Sequence, residues 1–317
     1  NKSTKNSDDT KTTHKMIVNL TPNFEPFGKS TFETKSFSFP SGFEHHINLF
    51  ANSEGKEKDL NDENNIHYIT CRISSSEDIM RILFATDALR RSGREKINLV
   101  IPFIPYARQD RVMDNGEPFS LKVFATLINS QNYNKVFVFD PHSDVSSALI
   151  NNCEVSTNYK FVKKSLIIHE GANPNKEYYI VSPDAGAYKK IFGVCKYVGY
   201  ERDIIMCNKM RDVKTGKILK TVVSKEDFEG KDVIIIDDIF DGGGTFFMLA
   251  EELKKRNCGK VILIISHGLF TKGFEFFDEP NNNIERVYTT NSIKDIDCKN
   301  IVQFNIDYVD EFTHKIV

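Results

Sequence analysis

The sequence predicts an α/β protein made of two doubly wound parallel-sheet domains. Predicted strands and helices alternate along the chain, and several strands are continuous apolar runs, as expected when both faces of a parallel sheet are covered. A chain of 317 residues has room for two cores. We expect a disordered tail over 1–15, with Met16 as a candidate native start, and domains over 16–160 and 161–317.

The strands are expected in eight short apolar runs: 16–20, 97–103, 135–140, 178–183, 203–207, 232–237, 260–267 and 286–290. One helix is predicted from a Ser76 cap to Gly93, because apolar residues recur there at helical spacing and two arginines close the last turn. A second begins near Ser120, and a third follows the glycines at 242–244. The stretch 306–317 is predicted to fold back as a helix, so that about the last 15 residues pack on the first domain.

Composition excludes several classes of function. A net charge of -2 predicts no affinity for nucleic acid or anionic membranes from bulk charge. No apolar run reaches the roughly 18 residues that a membrane helix requires. The six cysteines are scattered and form no CxxC motif, which favours free thiols in a cytoplasmic protein over a disulfide framework or a zinc site.

The segment VIIIDDIFDGGGT places Asp237, Asp238 and Asp241 at the end of a buried strand, followed by Gly242–Gly244 and Thr245. Ligands of parallel sheets bind beyond the carboxyl ends of the strands. Glycine backbone can approach an anion closely, and the following helix adds its N-terminal dipole. The carboxylates could hold sugar hydroxyls or Mg²⁺ while the loop holds a phosphate. The alternative is an ordinary glycine turn with aspartates as helix caps.

A second segment, YARQDR, offers Arg108 and Arg111 as guanidinium forks suited to phosphate, with Gln109 able to bond a base edge or ribose. By itself this segment is more typical of a solvated basic loop.

Taken together, these strings resemble a known family. The strand–DD–xx–D–GGGT–helix string resembles the phosphoribosyl-pyrophosphate (PRPP) loop of type I phosphoribosyltransferases and of PRPP synthetases. YARQDR resembles the ATP-binding segment of ribose-phosphate diphosphokinases, the PRPP synthetases, which simple phosphoribosyltransferases lack. The segments VFDPHS (138–143), VSPDAGA (181–187), CNKMRD (207–212) and TTNS (289–292) resemble further family motifs and follow in the family's order.

The resemblance implies domains of type I phosphoribosyltransferase-like topology and a Mg²⁺-dependent transfer of diphosphate from ATP to the 1-hydroxyl of a ribose. Implied catalytic residues are Lys209, Arg211 and Asp241. Implied ATP-binding residues are Arg108, Gln109, Asp110, Arg111 and His142, with Phe39 and Glu44 acting on a neighbouring subunit of a homo-oligomer. Implied ribose-phosphate-binding residues are Asp184, Asp237, Asp238, Asp241, Gly242, Gly243, Gly244 and Thr245. His142 and Asp184 are the implied Mg²⁺ ligands.

Two departures from the family pattern leave the acceptor open. The family's D-T-x-G-T reads Asp241-Gly242-Gly243-Gly244-Thr245 here, which removes a hydroxyl and opens space, and Ala185 and Ala187 of VSPDAGA indicate a reshaped acceptor pocket. A third departure, the altered F-x-D-G-E turn over Phe39–Glu44, leaves adenine binding and the cross-subunit site open instead. Ribose 5-phosphate, giving PRPP, and ADP-ribose, giving ADP-ribose 1-pyrophosphate for NAD regeneration, are both compatible with the loop. A non-catalytic regulatory paralog stays open, although it would not need both Lys209 and Arg211; a phosphoribosyltransferase is disfavoured by YARQDR.

Overall fold

The computed structural model describes residues 15–42, 44–56, 65–172, 177–211 and 218–306, with backbone alone for 209–211 and 218–220. Strands within these ranges are β1 (Ile17–Asn19), β2 (Lys35–Ser38), β3 (His45–Asn48), β4 (His67–Thr70), β5 (Ile97–Val100), β6 (Lys135–Phe139), β7 (Cys153–Ser156), β8 (Tyr178–Ser182), β9 (Ile205–Arg211), β10 (Ile218–Val223), β11 (Asp232–Phe240), β12 (Val261–Gly268), β13 (Ile284–Thr290) and β14 (Ile301–Phe304). Helices are α1 (Ser76–Arg91), α2 (Ser120–Asn129), α3 (Asp144–Leu149), α4 (Tyr159–Ala172), α5 (Ala185–Val198) and α6 (Gly244–Lys254), with a 3₁₀ turn at Glu275–Asp278.

The first sheet contains parallel strands in the order β1-β4-β5-β6-β7. This order follows the chain, and the apolar faces of α1 and α2 pack on the same side of the sheet. The other side is covered by the second half of the chain. Tyr68, Val100 and Phe137 from the first sheet share a buried cluster with Ile234 and Ile262 from the second. The two halves are therefore joined by a common apolar core.

The second sheet has the order β10-β9-β8-β11-β12-β13-β14, parallel except for β10. Its strand order reverses at β8, because β9 lies on one side of β8 and β11 on the other. Helix α6 covers one face and α5 the other, so this sheet is wound in both directions. The predicted α/β class with parallel sheets is confirmed. The chain passes between sheets within 157–177, and the domain division at 160 stays a prediction.

Several predicted bounds are corrected by the structure. The cap of α1 is Ser75, not Ser76, because the Ser75 side chain accepts a hydrogen bond from the Asp78 N–H and Asp78 reciprocates in a capping box. Strand β11 continues to Phe240, so Asp237 and Asp238 lie within the strand rather than at its end. Strand β9 continues to Arg211 and pairs antiparallel with β10.

The predicted tail over 1–15 and the helix over 306–317 fall almost wholly outside the described residues. The helices of the described ranges include none that is long and apolar enough to cross a membrane.

Candidate active site

A crevice opens beside the end of β11, at the reversal in strand order. Strand β8 pairs with β11 only as far as Val181 opposite Ile235, whereas β12 follows β11 to Phe240. Asp237 and Asp238 therefore extend past β8. A crevice beyond the carboxyl ends of strands at such a reversal is the usual ligand site of parallel sheets.

The crevice encloses a cavity of about 490 Å³ between the two halves of the chain. Of the residues predicted from the sequence, it is lined by Arg108, Asp110, Arg111, His142, Asp184, Asp237 and Asp238. Asp140, Ser143, Asn158 and Lys190 line it as well. The fold thus brings together the arginine segment of the first half and the carboxylates of the second.

His142 and Asp238 join the two sides of the cavity. The His142 Nδ1 lies 2.7 Å from the Asp238 Oδ2. This hydrogen bond raises the pKa of the imidazole above its ordinary value of 6.5, although burial opposes the shift. Burial disfavours the Asp238 carboxylate, but the His142 hydrogen bond and the Lys190 charge outweigh it and lower the pKa of Asp238 to about 2. His142 and Asp238 therefore form a hydrogen-bonded pair in which each group favours the charged form of the other.

Asp237 has the opposite electrostatic environment. Burial and the adjacent Asp238 charge raise the pKa of the Asp237 carboxyl well above 3.8. Asp184, the N-cap of α5, adds a further repulsive charge while its Oδ1 accepts a hydrogen bond from the Ala187 N–H at 3.0 Å. A group that brings positive charge or hydroxyl donors would relieve this concentration of carboxylates.

Lys190 supplies a positive charge that motif reading missed. Its ammonium donates to the Asp140 Oδ1 at 3.2 Å and to the Pro141 carbonyl at 2.6 Å. Asp140 is itself buried and accepts hydrogen bonds from Asn158 and Ser266. Burial works against the charged lysine, but Asp140 and Asp238 raise its pKa. A cation held by Asp140 therefore lies in the wall of the cavity.

The two arginines of YARQDR play different parts. The Arg111 guanidinium holds the adjacent Asp110 carboxylate at 2.8 Å, and Ser143 donates to the other oxygen at 2.8 Å. The Arg108 guanidinium reaches across to the Asp241 Oδ2 at 2.7 Å. Thr271 donates to Asp241 from the other side, and these contacts lower the pKa of the carboxyl. Arg108 thus links the arginine segment to the glycine loop.

The three glycines of that loop serve different purposes. Gly243 has a φ of +76°, and a Cβ there would lie 2.6 Å from the rings of Phe240 and Phe247. A Cβ on Gly242 would instead meet the side chain of Lys272 at 3.3 Å, and one on Gly244 would meet nothing within 4 Å. Gly243 is also the N-cap of α6 and offers no side-chain cap, so the first N–H groups of the helix remain available for an anion.

Two family models match the chain: the N-terminal domain of ribose phosphate pyrophosphokinase over 45–131 and the phosphoribosyl transferase domain over 162–308. The ribose-phosphate pyrophosphokinase of Aquifex aeolicus is 30% identical over 233 residues, which cover 71% of this chain and 71% of that protein. The Thermococcus kodakarensis enzyme of the same name is 30% identical over 68% of this chain and 74% of its own. The chain belongs to the ribose-phosphate pyrophosphokinase family.

A solved structure supports the fold of this pyrophosphokinase family member. The crystal structure of phosphoribosylpyrophosphate synthetase from Mycobacterium smegmatis superposes with a TM-score of 0.76 over 95% of this chain and 97% of that one, at 19% identity. The family models and the named relatives confirm the family assignment made from the sequence motifs, and with it the expectation of a transferase.

Some residues implied by the pyrophosphokinase resemblance lie outside the cavity lining. Gln109 is exposed beside it, with its N–H bonded to the Tyr106 carbonyl at 2.8 Å. Phe39 and Glu44 form the tip of the β2–β3 hairpin, where the Phe39 N–H bonds the Glu44 carbonyl at 2.8 Å. Both are exposed.

Lys209 and Arg211 were expected on a loop that follows a strand. The backbone of both belongs to β9, opposite Thr221 and Ile218 of β10. Residues 212–217, between these two strands in the sequence, lie outside the described residues.

The magnesium assignment is tested by the chemistry of the donors present. Among the described residues, no group of three or more His, Cys, Asp or Glu side chains is arranged to hold a metal by itself. Mg²⁺ prefers oxygen ligands and usually keeps several waters beside one or two carboxylates and substrate phosphates. The oxygens of Asp184 and Asp237 fit that requirement. The His142 Nδ1 is engaged by Asp238, so the Nε2 of His142 is the ring atom left to act as a metal ligand.

A first prediction concerns the loop of this pyrophosphokinase. We expect Gly243→Ala to lower the free energy of unfolding by about 2–4 kcal/mol, since it combines a left-handed backbone with overpacking against Phe240 and Phe247. Gly244→Ala is the matched control and should be neutral or stabilising by up to about 1 kcal/mol, because its Cβ enters open space in a helix. Urea denaturation of both variants measures the difference; equal effects would contradict the assignment.

Proposed function

We propose that this chain transfers the β,γ-diphosphate of ATP to the 1-hydroxyl of ribose 5-phosphate, giving PRPP and AMP. The observation that carries the proposal is the single cavity lined by both the arginine segment and the β11 carboxylates. The names of the relatives, all ribose-phosphate pyrophosphokinases, support the same donor and acceptor. The arginines face the nucleotide phosphates, and Asp237 and Asp238 face the ribose hydroxyls.

The reaction requires alignment and neutralisation of charge more than covalent help. The ribose 1-oxygen attacks the β-phosphorus, the bond from that phosphorus to the bridging oxygen breaks, and AMP leaves with that oxygen. Bound Mg²⁺ would neutralise phosphate charge. Arg108 and Arg111 orient the donor, while Lys209 and Arg211 stabilise negative charge that grows in the transition state.

The N–H groups at the start of α6 hold the 5-phosphate of the acceptor in this proposal. The helix dipole and the glycine backbone suit a phosphate, whereas the carboxylates around Asp237 would repel one. The acceptor is therefore oriented with its phosphate in the loop and its ribose beside Asp237 and Asp238.

Isotope placement tests the type of transfer. With ATP labelled at the β-phosphorus, we expect the label in the sugar product and unlabelled AMP as the nucleotide product. Labelled ADP as the main product would instead show transfer of the γ-phosphoryl group alone and would overturn the proposal.

ADP-ribose remains the second candidate acceptor because a groove leads away from Gly242. A groove of about 890 Å³ runs from Asp241 and Gly242 between α6 and the segment 272–283. Phe247 and Phe276 lie along it together with the amides of 281–283. An acceptor whose 5′-phosphate continues into a second nucleotide would need such a passage beyond the loop.

We expect Gly242→Thr to separate the two acceptors. The new side chain narrows the entrance to the groove, so turnover of ADP-ribose should fall about tenfold or more through crowding. Turnover of ribose 5-phosphate should change less than about threefold, since the added hydroxyl can still bond a terminal phosphate. Steady-state rates with each acceptor provide the test; equal changes for both would contradict a passage at Gly242.

The assembly is proposed to be a homo-oligomer, at least a dimer, in which the β2–β3 hairpin contacts the nucleotide of a neighbouring subunit. Phe37 and Phe39 are 53% and 44% exposed at the tip of this hairpin, with ring centroids 5.1 Å apart. Exposed aromatic pairs of this kind are enriched in interfaces.

We expect Phe39→Ala to raise KM for ATP by about tenfold while leaving KM for the acceptor unchanged. Phe192→Ala, on the exposed face of α5, is the control and should leave both unchanged. Light scattering that found a fully active monomer would rule out the shared site.

A further inference from the structure

The side chain of Lys272 fills the space beside Gly242. A Cβ on Gly242 would lie 3.3, 3.5 and 3.7 Å from the Lys272 Cε, Cδ and Cγ. The backbone of Gly242 is not in the left-handed region, so other residues could adopt it. Any side chain at 242 would therefore point towards the distal end of Lys272, and a hydroxyl there would share the space that the lysine now occupies.

The segment that carries Lys272 is held firmly against the end of β11. The N–H groups of Leu269 and Phe270 donate to the Phe240 carbonyl at 2.8 and 3.3 Å, and the Thr271 N–H donates to the Asp241 carbonyl at 3.3 Å. The Thr271 hydroxyl also donates to the Asp241 carboxylate at 2.8 Å. The position of Lys272 is thus tied to the glycine loop by main-chain contacts.

Lys272 is exposed and, among the described residues, forms no ion pair with a carboxylate. Other lysines of the described residues do pair, as Lys260 does with Glu285 at 2.9 Å. The N-terminus of α6 next to Lys272 has no side-chain cap. The lysine charge and the helix N-terminus are therefore two sources of positive potential at the space beside Gly242.

We propose that Lys272 binds the phosphate of the acceptor and determines how tightly it is held, in the role that a hydroxyl at 242 would otherwise fill. This inference rests on the proposed transfer to a phosphorylated ribose. It assigns a binding role to a residue that lies outside the sequence motifs on which the proposed function is based. The Lys272 ammonium brings a full positive charge to the phosphate, in addition to the hydrogen bonds from the backbone N–H groups. It therefore compensates for the missing hydroxyl without closing the groove beyond Gly242. Gly242 and Lys272 then act as one unit.

The test measures dissociation constants by calorimetry for ribose 5-phosphate, ADP-ribose and unphosphorylated ribose. Lys272→Met keeps most of the aliphatic packing against Gly242 and removes the charge. We expect this substitution to raise the dissociation constant of the phosphorylated acceptor that the wild type binds by about 10- to 100-fold, which is the range for a charge-assisted hydrogen bond. The dissociation constant of ribose should stay unchanged.

Lys255→Met is the matched control, since it removes the same charge from the opposite end of α6, roughly 16 Å from the loop. It should leave all three constants within about twofold. If Lys272→Met and Lys255→Met behave alike, the assignment of Lys272 is overturned.

A double variant tests whether the two residues form one unit. In the Gly242→Thr background, the loss caused by Lys272→Met should shrink to about threefold for ribose 5-phosphate, because the hydroxyl replaces the ammonium. An undiminished loss would contradict the shared role. A wild-type protein that binds neither phosphorylated acceptor would overturn the proposed function itself, whereas normal wild-type binding that Lys272→Met leaves unchanged would overturn this inference alone.

Discussion

Lys209→Ala and Arg211→Ala are each expected to lower kcat by about 10²-fold or more, with the dissociation constant for ATP changed by less than about threefold. Groups that meet charge only as it grows in the transition state contribute to the rate and little to ground-state binding. Quench-flow or steady-state rates, together with nucleotide titration, separate the two quantities.

The placement of these residues on β9 sharpens that experiment. Met210 lies between Lys209 and Arg211 on β9 and carries no charge. Met210→Ala is therefore the control and should keep at least about half of kcat. Full activity in both charge variants would mean that the proposed catalytic cations lie elsewhere.

Asp238→Asn should lower kcat/KM by about 10²-fold or more. Asp238 fixes His142 through the 2.7 Å contact and lines the cavity beside Lys190, so the substitution disturbs both walls of the site. Asp227→Asn, in an exposed turn ahead of β11, makes the same chemical change away from the cavity and should be neutral in activity.

The same variant makes a prediction about proton binding. Since the Asp238 hydrogen bond raises the pKa of His142, removing the carboxylate charge should lower that pKa, and the imidazole should lose its proton at a lower pH than in the wild type. NMR titration of the His142 ring measures the shift. An unchanged or raised pKa would contradict the stabilisation of the charged His142 ring by Asp238.

Motifs predicted the parts of the site that are contiguous in sequence. Arg108, His142, Asp184 and Asp238 were each assigned from a short string, and the structure brings all four to one cavity. Lys190 was missed because it lies six residues beyond Asp184 on α5, and nothing in the sequence shows which face of the helix meets Asp140. In the segment VFDPHS, the sequence analysis assigned a site role to His142 and none to Asp140.

Long apolar runs such as 232–237 and 260–267 were predicted as strands and observed as β11 and β12. Four-residue strands such as β4 and β7 were not predicted, because a segment that short has no measurable periodicity and gains its stability from neighbouring strands. The extension of β9 to Arg211 was missed because residues 208–211 are mostly polar and pair with β10, which was itself not predicted as a strand.

The covering of the first sheet by the second half could not be read from the sequence either. Tyr68 and Phe137 lie in apolar strands, and such strands look the same in the sequence whatever element packs on them. Only the structure shows that Tyr68 and Phe137 share a cluster with Ile234 of the second sheet. This shared core joins the two halves of the chain whose residues line the cavity.

The most direct test of the account is the product formed from Mg²⁺, ATP and each acceptor in turn. We predict that AMP appears in equal amount with a sugar whose mass has increased by one diphosphate, and that the mass identifies either PRPP or ADP-ribose 1-pyrophosphate. Release of AMP without a diphosphorylated sugar, or no AMP with either acceptor, would contradict the assignment of this cleft to diphosphoryl transfer.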